Sequence, residues 1–248
     1  MVAQNTFPEK EHLQAAGFMF PLFFFIAAFI LLPVLGTLYN SFMLDVIYME
    51  KKFILFGNFR YLFSDPGFWN SLRFTILFVL ISVPIELILG MMIALVLNEK
   101  IPMRGVLRAC VLIPWAIPAA VSGRVFELVY NYSYGAANRL LQLFSISNEP
   151  VNWLGTDIGA FMAVVAADAW KTTPFAAIIL LAGLSAISRD LYSQAKIDRA
   201  GLITRFIKIT LPLLKPVLVV TLLFRTIQAL RIFDIIYVLT GGGPGGAT

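Results

Sequence analysis

The stretch Asp190–Pro216 reads DLYSQAKIDRAGLITRFIKITLPLLKP. It is a polar, basic island between two long apolar runs. A segment of this kind cannot lie in hydrocarbon, because each charge there costs several kcal/mol unless it reaches a partner or water. The same segment, placed at a membrane surface, is built to be gripped by a soluble partner.

The rest of the chain gives the island its setting. Of its 248 residues, 59% are hydrophobic and only 13% are charged, with a mean hydropathy of +0.84. A soluble domain carries about 25% charge, so the composition is that of an integral membrane protein. The net charge of +5 is small for nucleic-acid binding, and no basic patch interleaved with aromatics lies in a water-facing segment. One cysteine, Cys110, and one histidine, His12, exclude an intramolecular disulfide and any Cys- or His-cluster metal site. Cys110 reads as a small buried apolar residue and His12 as a solvated arm residue.

About 20 apolar residues span a bilayer core as a helix, and five segments meet that need. They are 17–42, 70–97, 106–130, 158–187 and 211–239. Pro114 and Pro118 are expected to kink the third. Loop charge gives the orientation. Lys100, Arg104 and Arg108 follow the second segment, and Arg189, Lys196, Arg199, Arg205 and Lys208 follow the fourth. These loops are expected in the cytoplasm, together with the N-terminal arm, 1–16. Lys51, Lys52 and Arg60, between the first two spans, run against the rule. They share that loop with Asp45, Glu50 and Asp65, which count little. The last residues, Gly241-Gly-Gly-Pro-Gly-Gly-Ala-Thr248, read as a hairpin on the outer face, and a sixth helix is expected beyond it.

Inside the island, Asp190 is a good N-cap for a short helix. Leu191, Ala195, Asp198 and Leu202 share one face by the helical period. Gly201 is expected to take a left-handed conformation and break that helix. A second short helix then leads to Pro212, where the fifth span enters the membrane.

This island resembles the cytoplasmic coupling loop, here 188–210, of the permease subunits of ABC importers. The family pattern is Glu-Ala-Ala, then Asp-Gly-Ala, then an Ile-Thr-Leu-Pro run ending in Pro. Ala195, Asp198, Ala200, Phe206, Ile209, Thr210, Leu211, Pro212 and Pro216 match it. Asp168-Ala-Trp-Lys-Thr-Thr-Pro-Phe175, Leu181-Ala-Gly-Leu184 and Phe233-Asp-Ile-Ile-Tyr-Val-Leu-Thr-Gly-Gly-Gly-Pro244 narrow the likeness to the maltose-type branch, which imports sugars and glycerol phosphates. The resemblance covers the chain from about Gly17 onward. It implies an all-α, polytopic type I ABC importer permease fold with six core helices, five of them read here, over 17–248.

The departures are specific. Ser193 stands where the family has Glu, Gln194 where it has Ala, and Arg199 where it has Gly. The turn glycine is expected at Gly201 instead. The resemblance implies that Ser193, Gln194, Ala195, Asp198, Arg199, Ala200 and Gly201 couple to an ATPase. It implies as partners a homologous second permease forming a heterodimer, a dimer of cytoplasmic ATP-binding subunits, an extracytoplasmic solute-binding protein and the lipid bilayer, with no nucleic acid. No phosphate-cradle signature occurs, because no Lys-Ser or Lys-Thr follows the glycine run. No cofactor is therefore expected on this chain, with ATP and Mg²⁺ held by the partner ATPase, and no enzyme activity of its own.

Charges within the spans are the remaining chemistry. Asp168 and Lys171, and Arg231 and Asp234, are three apart and so neighbours on one helix face; each pair is expected to neutralise itself. Arg225 has no partner at helical spacing in its own span and is the pathway candidate. Glu86, and Glu127 with Arg124, are similar but less informative. Asn131, Tyr132, Tyr134 and Gly135 close the third span, and Gln228 lies in the fifth. By resemblance those two regions flank a central substrate path, which makes Asn131, Tyr134, Gly135, Arg225 and Gln228 the substrate-pathway candidates. The two tyrosines read equally as belt residues of the membrane interface. Lys171 and Arg225 also suit an anionic solute, such as a glycerol phosphate or a uronate sugar. A secondary transporter is expected to show inverted repeats and broken helices at mid-membrane, and no internal symmetry is visible. A membrane-embedded enzyme needs clustered acids or histidines at the cytoplasmic interface, and these are lacking.

Overall fold

The computed structural model describes residues 9–44 and 51–244, with side chains from residue 14. Residues 1–8 of the arm, the His12 side chain, Asp45, Glu50 and the end of the glycine run, 245–248, lie outside the described residues. Contacts group the chain into two compact units, Met1–Trp69 and Asn70–Thr248.

In the first unit, α1 (Glu9–Ile26) and α2 (Leu32–Ser41) form one continuous rod. Its start lies eight residues ahead of the expected boundary. The helices join through a widened π stretch, Ala27–Leu31, in which Leu32 N–H bonds to Ala27 O. Pro33 follows at once. Its ring lacks a donor and crowds the carbonyl four residues back, and the π turn relieves that crowding. After Ser41 the chain makes a two-stranded antiparallel ribbon, β1 (Met43–Leu44) and β2 (Lys52–Phe53), pairing Met43 with Phe53 and Leu44 with Lys52. A short helix, α3 (Gly57–Ser64), follows. Asn58 Nδ2 fixes it to the ribbon by donating to Ser41 O (3.0 Å) and Met43 O (2.9 Å).

The second unit is organised by α4 (Pro66–Asn98) and α8 (Asp157–Ser185). Lipid tails are as apolar as leucine, so close backbone approach, not apolar burial, holds spans together. Small residues on α8 provide that approach: Ala160, Ala163, Ala167, Ala176 and Ala177 are all buried. A Cβ on Gly90 of α4 would stand 3.1 Å from Ala177 N, and one on Gly183 would stand 2.6 Å from Leu214 Cδ1. Thr156 caps α8, its hydroxyl accepting from Gly159 N–H at 3.2 Å.

Two expected spans are not single helices. The third divides into α5 (Arg104–Ala116) and α6 (Ala119–Val129), bent by 90°. Ile117 precedes Pro118 and is forced extended, with φ −72° and ψ 134°. The kink expected from the two prolines is thus a full break. After the short helix α7 (Ala136–Leu143) and α8 come α9 (Arg189–Ile197) and α10 (Leu202–Arg205). Here the expected separation at Pro212 is corrected. α10, a π stretch Phe206–Thr210 and α11 (Leu211–Ala229) run on as one 28-residue helix, Leu202–Ala229. Leu211 N–H reaches back to Phe206 O, the same accommodation before Pro212 as at Pro33. The expected continuation to Leu239 is corrected as well. The chain breaks at 230–233 and restarts as α12 (Asp234–Leu239). α12 packs on α6, where a Cβ on Gly123 would meet Val238 Cβ at 3.0 Å. Among the described residues, four helices are long and apolar enough to cross a membrane, or five if the bent pair is one span.

Candidate translocation wall and docking loop

Three helices of the second unit meet at a buried ionic cluster. Arg225 on α11 donates through Nε to Glu86 Oε2 at 2.6 Å, through Nη2 to Asp168 Oδ2 at 3.2 Å and through Nη1 to Gln228 Oε1 at 2.5 Å. Ser82 Oγ lies 2.6 Å from Glu86 Oε1 and 3.3 Å from Asp168 Oδ2. Arg225 is 1% exposed and Glu86 is fully enclosed. The planar guanidinium presents its donors as a fixed fork, so one side chain ties α4, α8 and α11 together.

The pairing of Asp168 with Lys171 expected from spacing is replaced by contacts across helices. Asp168 bonds to Arg225, not to Lys171. Lys171 Nζ donates to the carbonyls of Trp115, at 3.1 Å, and Ile117. Those carbonyls lose their helical partners where α5 breaks, so the ammonium caps the break from a neighbouring helix. Among the described residues Arg231 and Asp234 form no ion pair, although Arg124 and Glu127 do, at 2.5 Å on an exposed face. A polar cavity of about 160 Å³ opens beside the cluster, lined by Asp168, Lys171, Arg225, Gln228, Arg231 and Asp234. The structure thus brings Arg225 and Gln228 together and leaves the other three pathway candidates elsewhere.

Asn131 and Gly135 build the turn after α6. Asn131 Oδ1 accepts from the N–H of Ser133 (2.9 Å) and Tyr134 (3.3 Å). Gly135 N–H donates to Asn131 O at 2.9 Å, and a Cβ on Gly135 would fall 2.3 Å from that oxygen. Tyr134 is exposed. The organiser of this region is Asn138, which nothing in the sequence marks. Its Nδ2 donates to Tyr132 O and Val151 O, both at 3.1 Å. Its Oδ1 accepts from Val151 N–H (3.1 Å) and Trp153 Nε1–H (2.8 Å). Asn138→Ala removes four part-buried hydrogen bonds at about 0.5–1 kcal/mol each. We expect a loss of about 2–4 kcal/mol, read as rapid proteolysis between residues 130 and 153.

In the island, the N-cap is Ser188, not Asp190: Ser188 Oγ accepts from Asp190 N–H at 3.2 Å, and Asp190 sits in the first turn. The helix end is corrected too. Arg199, with φ +54°, holds the left-handed position, whereas Gly201 is extended at φ −66° and precedes α10. Ala200 N–H bonds to Ala195 O (2.9 Å) and Arg199 N–H to Lys196 O (3.1 Å). This is a Schellman ending with arginine where glycine is strongly preferred. Replacing Arg199 with glycine removes the Cβ strain of that conformation. Local stability should rise by about 0.5–1 kcal/mol, seen as about two- to five-fold slower exchange of the Ala200 amide. Ala195 is buried, while Ser193, Gln194 and Asp198 are exposed. Tyr192 Oη meets the buried Thr210 Oγ1 at 2.9 Å, joining α9 to the start of the long helix.

Residues 86–248 match the family described as binding-protein-dependent transport system inner membrane component. The chain belongs to this family. The permease is 56% identical over 229 residues to the trehalose/maltose transport system permease protein MalF of Thermococcus litoralis, covering 92% of this chain and 77% of that one. It is 40% identical over 240 residues to the sulfoquinovosyl glycerol transport system permease protein SmoG of Agrobacterium fabrum, covering 96% and 77%. Among solved structures it is similar to a bacterial ABC transporter involved in the import of the acidic polysaccharide alginate. That match has a TM-score of 0.75 at 21% identity over 96% of this chain and 80% of that one. A second structure of an alginate ABC transporter, in complex with an alginate pentasaccharide-bound periplasmic protein, gives a TM-score of 0.69 at 22% identity over 93% and 81%. The permease is therefore a membrane-embedded transport subunit of a binding-protein-dependent ABC importer, not an ATPase.

Proposed function

We propose that the permease forms one half of the pathway for a sugar of the trehalose or maltose class, and that its 188–210 loop docks on a cytoplasmic ATPase. One observation carries the docking. Ile197, Leu202 and Ile203 are 76–81% exposed on a segment too polar for hydrocarbon. Three large aliphatic side chains held out beside the Arg199 turn are the core of an interface awaiting a cleft. The Ser193 and Gln194 departures remove a family carboxylate from this surface, so apolar contact carries more of the docking. ATP and Mg²⁺ belong to that partner, and loop charge supports a cytoplasmic N-terminus. A similar but distinct second permease completes the pathway.

For the solute, the 56% identical relative's name supports a trehalose or maltose substrate. The wall fits a neutral sugar because its two inner cations are engaged: Arg225 is held by three acceptors and Lys171 by two carbonyls. Arg225 acts as a positioning residue, and Gln228 faces the cavity beside it. Asn131 and Gly135 shape the outer turn, which presents Tyr134 for stacking. In the cycle, the binding protein delivers sugar outside and ATP closes the ATPase dimer. α9 passes that motion through Tyr192 and Thr210 into the long helix, and the permease pair turns outward. Reconstituted with its binding protein, second permease and ATPase, the complex should show trehalose- or maltose-stimulated ATP hydrolysis and uptake. Stimulation by a uronate sugar or glycerol phosphate alone overturns the substrate reading.

A further inference from the structure

We propose that the segment Lys52–Trp69 is an anchor for the phospholipid headgroup layer, selective for anionic lipids. The chain leaves the first span at Ser41 and enters the next at Pro66. Everything between those points is tethered at both ends to the same face of the bilayer. α3 is about 12 Å long at 1.5 Å per residue. Phe56, Arg60 and Phe63, spaced i, i+4 and i+7, lie on one side of it.

The surface is fixed in shape. Phe56 packs on Phe42 and Phe59 with ring centroids 5.8 and 6.1 Å apart. Phe63 packs on Phe68 and Trp69 at 6.0 and 6.1 Å, and Trp69 Nε1 donates to Phe63 O at 2.9 Å. Yet Phe53, Phe56, Tyr61 and Phe63 are 56–78% exposed. Rings displayed beside a span end belong to the interfacial belt, where their apolar faces meet acyl chains. Lys52 and Arg60 are exposed among them and form no ion pair among the described residues. These two belong to the basic group that contradicts the loop-charge rule. Lipid phosphates beside them supply a counter-charge and account for that contradiction. The span ends alone place this segment at a headgroup layer, whichever leaflet that is.

The test uses the whole transporter in nanodiscs of phosphatidylglycerol and phosphatidylcholine. Nitroxides at Phe56→Cys and Phe63→Cys, in a Cys110→Ser background, should be relaxed by oxygen more than by a water-soluble nickel chelate. Native mass spectrometry should show phosphatidylglycerol enriched on the complex, with the enrichment falling about five-fold per basic residue removed in Lys52→Gln and Arg60→Gln. The charge-keeping pair Lys52→Arg and Arg60→Lys should retain it. Labels relaxed mainly by the chelate overturn the anchor. Enrichment that survives the glutamine variants, or that inorganic phosphate displaces, overturns the lipid assignment.

Discussion

Arg225→Met should destabilise the permease by about 3–5 kcal/mol, because removing one partner of a buried ion cluster leaves the others charged and unpaired. Glu86 and Asp168 are the two left behind, and both are enclosed by α4, α8 and α11. In detergent the variant should lose its folded fraction well below the wild-type temperature. The partner's charge, rather than the shape of the missing side chain, is the cause. Arg225→Met combined with Glu86→Gln and Asp168→Asn should therefore recover most of the loss, since neutral replacement of a whole buried cluster is often close to neutral in stability. A triple variant no better than Arg225→Met refutes the electrostatic account. Arg225→Lys should fall between, because an ammonium cannot reproduce the fork to three acceptors.

The second large effect is at the docking loop. Ile197→Glu with Leu202→Glu should abolish co-purification of the ATPase and sugar-stimulated hydrolysis, while leaving the permease folded. Both side chains are close to four-fifths exposed, so their replacement costs the isolated chain little. At an interface, desolvating two unpaired carboxylates and losing two apolar anchors is expected to weaken binding at least 100-fold. Undiminished co-purification means that these side chains face something other than the ATPase. Asp198→Lys should act more weakly, because Asp198 sits at the rim as the end of α9.

Much of this was legible in the chain itself. The long apolar runs at 17–42, 70–97 and 158–187 declared spans that the structure places at 14–41, 66–98 and 157–185, and the island declared its exposure. The family likeness rested on residues that the structure places in the loop and the long helix. What could not be read was set by contacts between elements. The break at 230–233 contains neither proline nor glycine; α12 exists because α6 offers Gly123 as a seat. Asp168 and Lys171 satisfy a helical spacing rule, but partners on α11 and at the α5 break outweigh it. Asn138 looks like any surface asparagine until the chain at 151–153 is folded onto it. The Arg199 turn was misplaced for a different reason. Glycine is the usual residue for a left-handed position, and here an arginine occupies it two residues earlier.

The ionic cluster also dictates an order of synthesis. Glu86 and Asp168 leave the ribosome long before Arg225, so for a time two acids need a home without their cation. Neither α4 nor α8 can settle among lipids in that interval without a charge deep in hydrocarbon. Both spans are expected to stay beside the insertion machinery until α11 arrives, and the three helices then enter the bilayer together. Nascent chains arrested before residue 225 should therefore crosslink to that machinery through α4, and chains arrested well after it should not.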